Sequence, residues 1–288
     1  MKSITKKRRV CNSPLNWYGG KGSNQQRKVL NFILDCIDKS EKDIMVDVFG
    51  GSAVVSINCN NKAIVYNDKF KGVYNFFYIL RKYNETLINL IQSTPYSEIE
   101  YINCRDNWRF EEDNIERARM FYVATMQSRG AVGAMQFQKI QWRRSTNEIR
   151  NGMPQAVSSW ITNTSENLPN VVDKLKSIQL ENLDAMECIR KYDNTKTIFY
   201  IDPPYLQNTR EAKKVYDHEY TYEDHEKLVN RLSTIKGSCI LSGNDNELYD
   251  KLLELGWKKQ VFSDITKTSS NGSDGKKPKT KEVIWYRV

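Results

Sequence analysis

The run Thr197-Ile198-Phe199-Tyr200-Ile201 is closed by Asp202-Pro203-Pro204-Tyr205. Five consecutive β-branched or aromatic residues predict a buried strand, of the kind found inside a parallel sheet. Two prolines then stop the strand abruptly. Neither can donate to a ladder, and each restricts the residue before it. An acid and an aromatic ring are therefore held, with little freedom, at the carboxyl end of a central strand. In open α/β sheets that edge is where ligands bind.

The flanking sequence predicts such a sheet. Ile44-Met45-Val46-Asp47-Val48-Phe49 reads as a strand running into Gly50-Gly51-Ser52, with a helix expected over 53–58. Ala63-Ile64-Val65-Tyr66 reads as a second strand, ending at Asn67-Asp68, with a helix over 71–83. Strand–helix–strand–helix at this spacing argues for a parallel, doubly wound α/β fold. The rhythm breaks between about 85 and 170, a stretch richer in Asn, Arg and aromatics that contains Trp108, Trp142 and Trp160. It reads as an inserted, mainly helical domain. The expected organisation is a first part of the core over 1–84, the insertion over 85–170 and a second part over 171–288. The second part carries a helix over 171–175, then the strand Ile178-Gln179-Leu180, which ends near Asp184. It also carries the Asp202 strand, a helix over 224–232 capped by Asp224, the strand Cys239-Ile240-Leu241 and a helix over 247–255. Two closing strands flank a Ser-, Gly- and Lys-rich loop over 267–281.

With 288 residues the chain can bury a sizeable core. Its mean hydropathy is −0.66, and it has no apolar run of the roughly 18 residues needed to span a membrane. The net charge of +9 favours a polyanionic partner, although an indifferent basic surface is the competing reading. The six cysteines form no C-x-x-C pair and no cluster with histidine. Cys36, Cys59, Cys188 and Cys239 lie in or beside apolar runs and read as buried free thiols, so neither a metal site nor a disulfide framework is expected.

The Gly-rich turn after Val46 lets the backbone approach a ligand closely, although no G-x-G-x-x-G is present. Asp68, at the end of the next strand, either accepts from ribose hydroxyls or caps a helix. Trp17-Tyr18-Gly19-Gly20-Lys21-Gly22 combines aromatic faces, pliant backbone and a cation. It suits a ligand bearing a ring and a carboxylate, and an ordinary loop with a buried Trp is the alternative. The Asp202 motif suits methylation of an exocyclic amine on a base. Such an amine is a poor nucleophile because its lone pair is delocalised into the ring. Acceptors for both amine hydrogens, Asp202 and the carbonyl of Pro203, localise that pair, while Tyr205 offers a ring for stacking. A structural turn with an exposed Asp is the competing reading.

In combination and order, these motifs resemble the Dam-like adenine-specific DNA methyltransferases of the alpha motif order. Trp17-Tyr18-Gly19-Gly20-Lys21 is similar to that family's W-x-G-G-K, and Asp47-x-Phe49-Gly50-Gly51-Ser52-Ala53 to its F-x-G-x-G cofactor turn, with Ala53 where Gly is usual. Tyr66-Asn67-Asp68, Asn182-Leu183-Asp184, Thr209-Arg210, Tyr222 with Asp224-His225, and Leu241-Ser242-Gly243-Asn244 are also family-like. The resemblance implies a Rossmann-like class I methyltransferase sheet carrying an inserted target-recognition domain. It implies S-adenosylmethionine bound by Trp17, Tyr18, Gly20, Lys21, Asp47, Phe49, Gly50, Gly51, Ser52, Asp68, Leu183 and Asp184. It further implies a flipped adenine of double-stranded DNA held by Asp202, Pro203 and Tyr205.

DNA contacts are expected from Arg129, Lys139, Arg143 and Arg144 in the insertion, from Arg210, Lys213 and Lys214 after the catalytic motif, and from the 267–281 loop. Gln136, Gln138 and Gln141 are candidates for reading base edges. His225 reads as structural. The expected protein is a cytoplasmic monomer or weak dimer of a bacterial or phage-infected cell. Methylation of the cytosine amine needs the same geometry, but those enzymes more often carry Ser in place of Asp202. A DNA-binding relative that has lost catalysis is the non-enzymatic alternative, against which the intact motif argues.

Overall fold

The computed structural model describes residues 10–17, 19–130, 133–134, 141–206, 220–266 and 279–288, with 264–266 and 279–280 as backbone alone. Chain order introduces helix α1 (Arg27–Lys39), strand β1 (Ile44–Asp47), strand β2 (Ala63–Asn67) and helix α2 (Lys71–Lys82). There follow α3 (Asn84–Ser93), α4 (Glu98–Asn107), α5 (Asn114–Met126), a hairpin of β3 (Ile149–Arg150) and β4 (Met153–Pro154), α6 (Gln155–Thr162) and α7 (Leu168–Leu175). The chain closes with β5 (Ile178–Glu181), α8 (Ala185–Tyr192), β6 (Thr197–Ile201), α9 (Tyr222–Ser233), β7 (Ser238–Gly243), α10 (Glu247–Asp250), β8 (Lys258–Thr266) and β9 (Lys279–Arg287).

Seven strands form one sheet in the order β5-β2-β1-β6-β7-β9-β8. The first five run parallel, while β9 inserts antiparallel between β7 and β8. Numbered by their place in the sheet-forming chain the order is 3-2-1-4-5-7-6, the Rossmann-like methyltransferase arrangement that the motifs implied. Order reverses between β1 and β6, so the carboxyl ends of these two neighbours open a crevice.

Side-chain alternation sends successive strand residues to opposite layers. Met45, Ile64, Ile198, Tyr200, Ile240 and Ile284 pack on the side of α1, α2 and α7. Val46, Val65, Phe199, Cys239, Leu241 and Trp285 pack on the side of α8 and α9. Helix α1 faces the sheet because Val29, Leu30, Ile33, Leu34 and Ile37 recur at helical spacing and are all buried. Asn67 ties three strand ends together. Its amide donates to the carbonyls of Val48 (2.9 Å) and Leu183 (3.2 Å), and its oxygen accepts from the Leu183 N–H (2.9 Å).

Three local expectations fail. The helix expected over 247–255 is α-helical only over Glu247–Asp250 and continues as a 3-10 turn over Lys251–Leu255. The helix expected over 53–58 is only a 3-10 turn, Ser56–Asn58. Ala53 stands at φ 59°, left-handed backbone that cannot open an α-helix. The cap of α9 is Thr221, not Asp224: Thr221 accepts from the Asp224 N–H, and Asp224 returns a bond to the Thr221 N–H, a complete capping box.

The 85–170 stretch is mainly helical, and it shares its core with α2. Phe76 stacks on Tyr122 at 5.4 Å, and Trp108 meets Phe70 at 5.8 Å and Phe121 at 5.1 Å. All six cysteines are free thiols, five of them buried. Among the described residues no helix is long and apolar enough to cross a membrane, and no group of metal-ligating side chains occurs.

Because Phe121 is fully buried where the helices meet α2, Phe121→Ala should cost about 3–5 kcal/mol. Loss should appear in one cooperative denaturant transition followed by both fluorescence and circular dichroism. Separate transitions would show that the helices and sheet do not share a core.

Candidate active site

The end of β6 places Asp202 at the crevice, and the buried ring of Pro203 fixes the turn behind it. The two carboxylate oxygens of Asp202 differ. Oδ2 accepts from Lys21 Nζ at 2.7 Å and from the Tyr200 hydroxyl at 3.1 Å. Oδ1 is buried and finds no partner among the described residues. The Lys21 ammonium also donates to the Tyr205 hydroxyl (3.0 Å) and lies 3.3 Å from Glu282 Oε1. The Tyr205 hydroxyl in turn donates to Glu282. Tyr200 shares a 3.3 Å bond with Ser242 at the end of β7.

Lys21 and Glu282 are each only 2% exposed, so this is one cation between two carboxylates inside the protein. Burial opposes the Lys21 charge, but Asp202 and Glu282 outweigh it and hold the ammonium's pKa above its ordinary value. Burial raises the Glu282 carboxyl against the pull of Lys21. Desolvation and the neighbouring carboxylates keep Tyr200 and Tyr205 as neutral phenols.

Beside this cluster, the turn after β1 is drawn tight. Gly51 adopts φ 46°, and a Cβ there would meet Trp17 Nε1 at 2.5 Å; one on Gly50 would meet the Tyr66 ring at 2.2 Å. The two glycine motifs of the sequence thus meet in space. Asp68 holds the turn, accepting from the Gly51 N–H and the Phe70 N–H, both at 2.8 Å. It precedes the α2 cap instead of forming it. Asp47 accepts from Ser56 Oγ at 2.7 Å with one oxygen, while its other oxygen is buried without a partner among the described residues. Burial raises the carboxyl of Asp47 to about 7 and that of Asp68 to about 6.

The remaining residues of the expected cofactor site are placed as follows. Gly20 lies against Trp17 and the buried Ser52. Phe49 is half-buried and meets Tyr220 edge-on at 5.5 Å. Leu183 is clipped to Asn67, and Asp184 caps α8 while pairing with Lys69 at 3.0 Å on the surface. Lys21 sits on the Asp202 carboxylate. Tyr18 lies outside the described residues.

Of the expected DNA contacts, Arg129 and Arg144 are exposed and Arg143 half-buried. Arg129 bonds Gln141 through backbone (2.9 Å) and side chain (3.3 Å), so these two residues form one unit. Lys139, Arg210, Lys213, Lys214, Gln136, Gln138 and 267–278 lie outside the described residues. His225 is buried, bonded to the Tyr249 hydroxyl at 2.6 Å and flanked by the Tyr220 ring, and burial lowers it to about 4, so it is neutral.

Reading the sequence missed Glu282, Tyr200 and Asn67. Glu282 left one signal: a lone acid heading the apolar run Val283-Ile284-Trp285. Tyr200 left a weaker one, a hydroxyl inside a strand that is otherwise apolar beyond its first residue.

Residues 17–265 match the family described as D12 class N6 adenine-specific DNA methyltransferase. The chain belongs to this family. Modification methylase StsI of Streptococcus sanguinis is 27% identical over 214 residues, 72% of this chain and 30% of that protein. The chain therefore spans less than a third of that relative's length. A crystal structure of a candidate RNA methyltransferase from Pyrococcus horikoshii covers 99% of this chain and 92% of its own, at 10% identity and a TM-score of 0.39, too distant to inform the site.

A carboxyl whose folded-state pKa is raised stabilises the fold fully only below its unfolded value. For Asp47 that contribution is lost as pH rises from about 3.8 through about 7. Asp47→Asn keeps the bond to Ser56 and removes the buried charge. It should raise unfolding free energy at pH 8 by on the order of 2 kcal/mol, with no gain near pH 4. Thermal melts across that range check both values.

Proposed function

We propose that this family member transfers a methyl group to the exocyclic amine of an adenine flipped from double-stranded DNA. The observation that supports this most is the asymmetry of Asp202. One oxygen is held by Lys21 and Tyr200, while the other is a buried acceptor with no partner among the described residues. Leaving such a group unpaired costs about 1–3 kcal/mol, which an incoming N–H donor would recover. With the Pro203 carbonyl it would take both amine hydrogens and direct the lone pair toward the methyl donor.

The fold family implies S-adenosylmethionine, and the residues fit it. The turn is drawn in against Trp17 and Tyr66 by its glycines, and Asp47 offers a buried oxygen without a partner among the described residues. In this reading Trp17, Tyr18, Gly20, Phe49, Gly50, Gly51, Ser52, Asp47, Asp68, Leu183 and Asp184 hold the cofactor, and Lys21 serves Asp202. When bound, the cofactor supplies a methyl group already activated by its sulfonium charge. The protein's share is alignment and charge complementarity. Arg129, Arg143 and Arg144, with Lys139, Arg210, Lys213 and Lys214, would neutralise phosphates, in keeping with the net charge of +9. We place the enzyme in the cytoplasm of a bacterial or phage-infected cell, where its substrate lies.

Duplex DNA incubated with the protein and isotope-labelled cofactor, then digested to nucleosides, should carry the label on the adenine amine. Label on cytosine, or none, would overturn the assignment. Asp202→Ala should slow transfer at least about 100-fold while changing cofactor affinity less than about 3-fold by calorimetry.

A further inference from the structure

Glu282 has no part in the reaction as stated so far. It lies on β9, antiparallel to the parallel core, 80 residues after Asp202 in sequence. Yet it is 2% exposed, contacts the same ammonium as Asp202 and accepts the Tyr205 hydroxyl's bond. A buried acid is expensive to desolvate, and one partner would satisfy Lys21. Lys21 with Asp202 alone would form a neutral pair, its cation fully committed to Oδ2, the oxygen other than the one proposed for the amine. A second carboxylate shares that cation and, when ionised, leaves the group of three with one net negative charge.

We propose that Glu282 is a positioning residue for methyl transfer: it holds Lys21 and Tyr205 in place and shares the Lys21 ammonium with Asp202, leaving negative charge beside the reacting amine. The inference rests on the reading that Asp202 receives the amine. During transfer the amine nitrogen bonds the methyl carbon as the carbon–sulfur bond breaks and its electron pair leaves with sulfur. Positive charge appears on that nitrogen, which afterwards sheds one proton to Asp202 or water. Net negative charge behind Asp202 favours this development, and a neutral cluster does not.

Two measurements decide it. In the unmodified, ligand-free protein, the 13Cδ resonance of Glu282 should report an ionised carboxylate at pH 7.5, and a protonated one would overturn the proposal. Glu282→Gln preserves shape and removes charge, and Glu282→Asp preserves charge. Single-turnover rates, normalised to sites that bind cofactor, should fall about 10- to 100-fold in the Gln variant. They should fall less than about 3-fold in the Asp variant, with KM for DNA nearly unchanged in both. A Gln variant within 3-fold of wild type, or an Asp variant as slow as Gln, would assign Glu282 to packing alone. If the Gln variant does not fold, the resonance and the Asp variant still decide. If wild type labels adenine and these tests fail, only the role of Glu282 falls. If wild type labels no adenine, the assignment of function falls first.

Discussion

Everything in this crevice turns on the unequal treatment of two oxygens on one carboxylate. Lys21 and Tyr200 take Asp202 Oδ2, and among the described residues nothing takes Oδ1. A free aspartate in water could rotate its oxygens and bond any donor nearby. Here the buried prolyl turn and the ammonium remove that freedom. An acceptor oriented before its donor arrives loses little entropy when the bond forms, which is the basis of pre-organisation. For the proposed reaction Asp202 need not be a strong base. It must present a lone pair in a dry, fixed direction.

The arrangement is held by elements distant in sequence. Lys21 comes from the loop before α1, Asp202 and Tyr200 from β6, Ser242 from β7 and Glu282 from β9. The sheet makes them neighbours, because β7 lies between β6 and β9 and all approach the same edge. The same edge gathers Asp47 and Asp68, whose burial raises both carboxyls. A sheet edge selected for stability alone would not collect this many acids. In the proposed reading, that cost to the fold serves a site that receives a cationic cofactor.

The parts of this structure legible from sequence were those written in local patterns. Unbroken apolar runs located β1, β2, β6 and β7, and paired prolines located the end of β6. What remained hidden was conformational detail and long-range partnership. Ala53 sits in left-handed backbone where a helix was expected. Thr221 and Asp224 exchange roles from what the acid alone suggests, since a capping box needs both residues and only the first is the cap. Lys21 read as part of a cofactor loop, yet it reaches an acid 181 residues away. Glu282 lay unnoticed in a closing strand because no local rule says which acid a sheet will bury.

Family membership and the geometry of Asp202 support the proposed transfer to an adenine amine, which depends on where that amine sits. A crystal structure with a cofactor analogue and duplex DNA tests it most directly. The account predicts the adenine amine within about 3.2 Å of Asp202 Oδ1, with Lys21 still on Oδ2. An amine bonded to Oδ2 with Lys21 displaced, or one that never reaches Asp202, would contradict it.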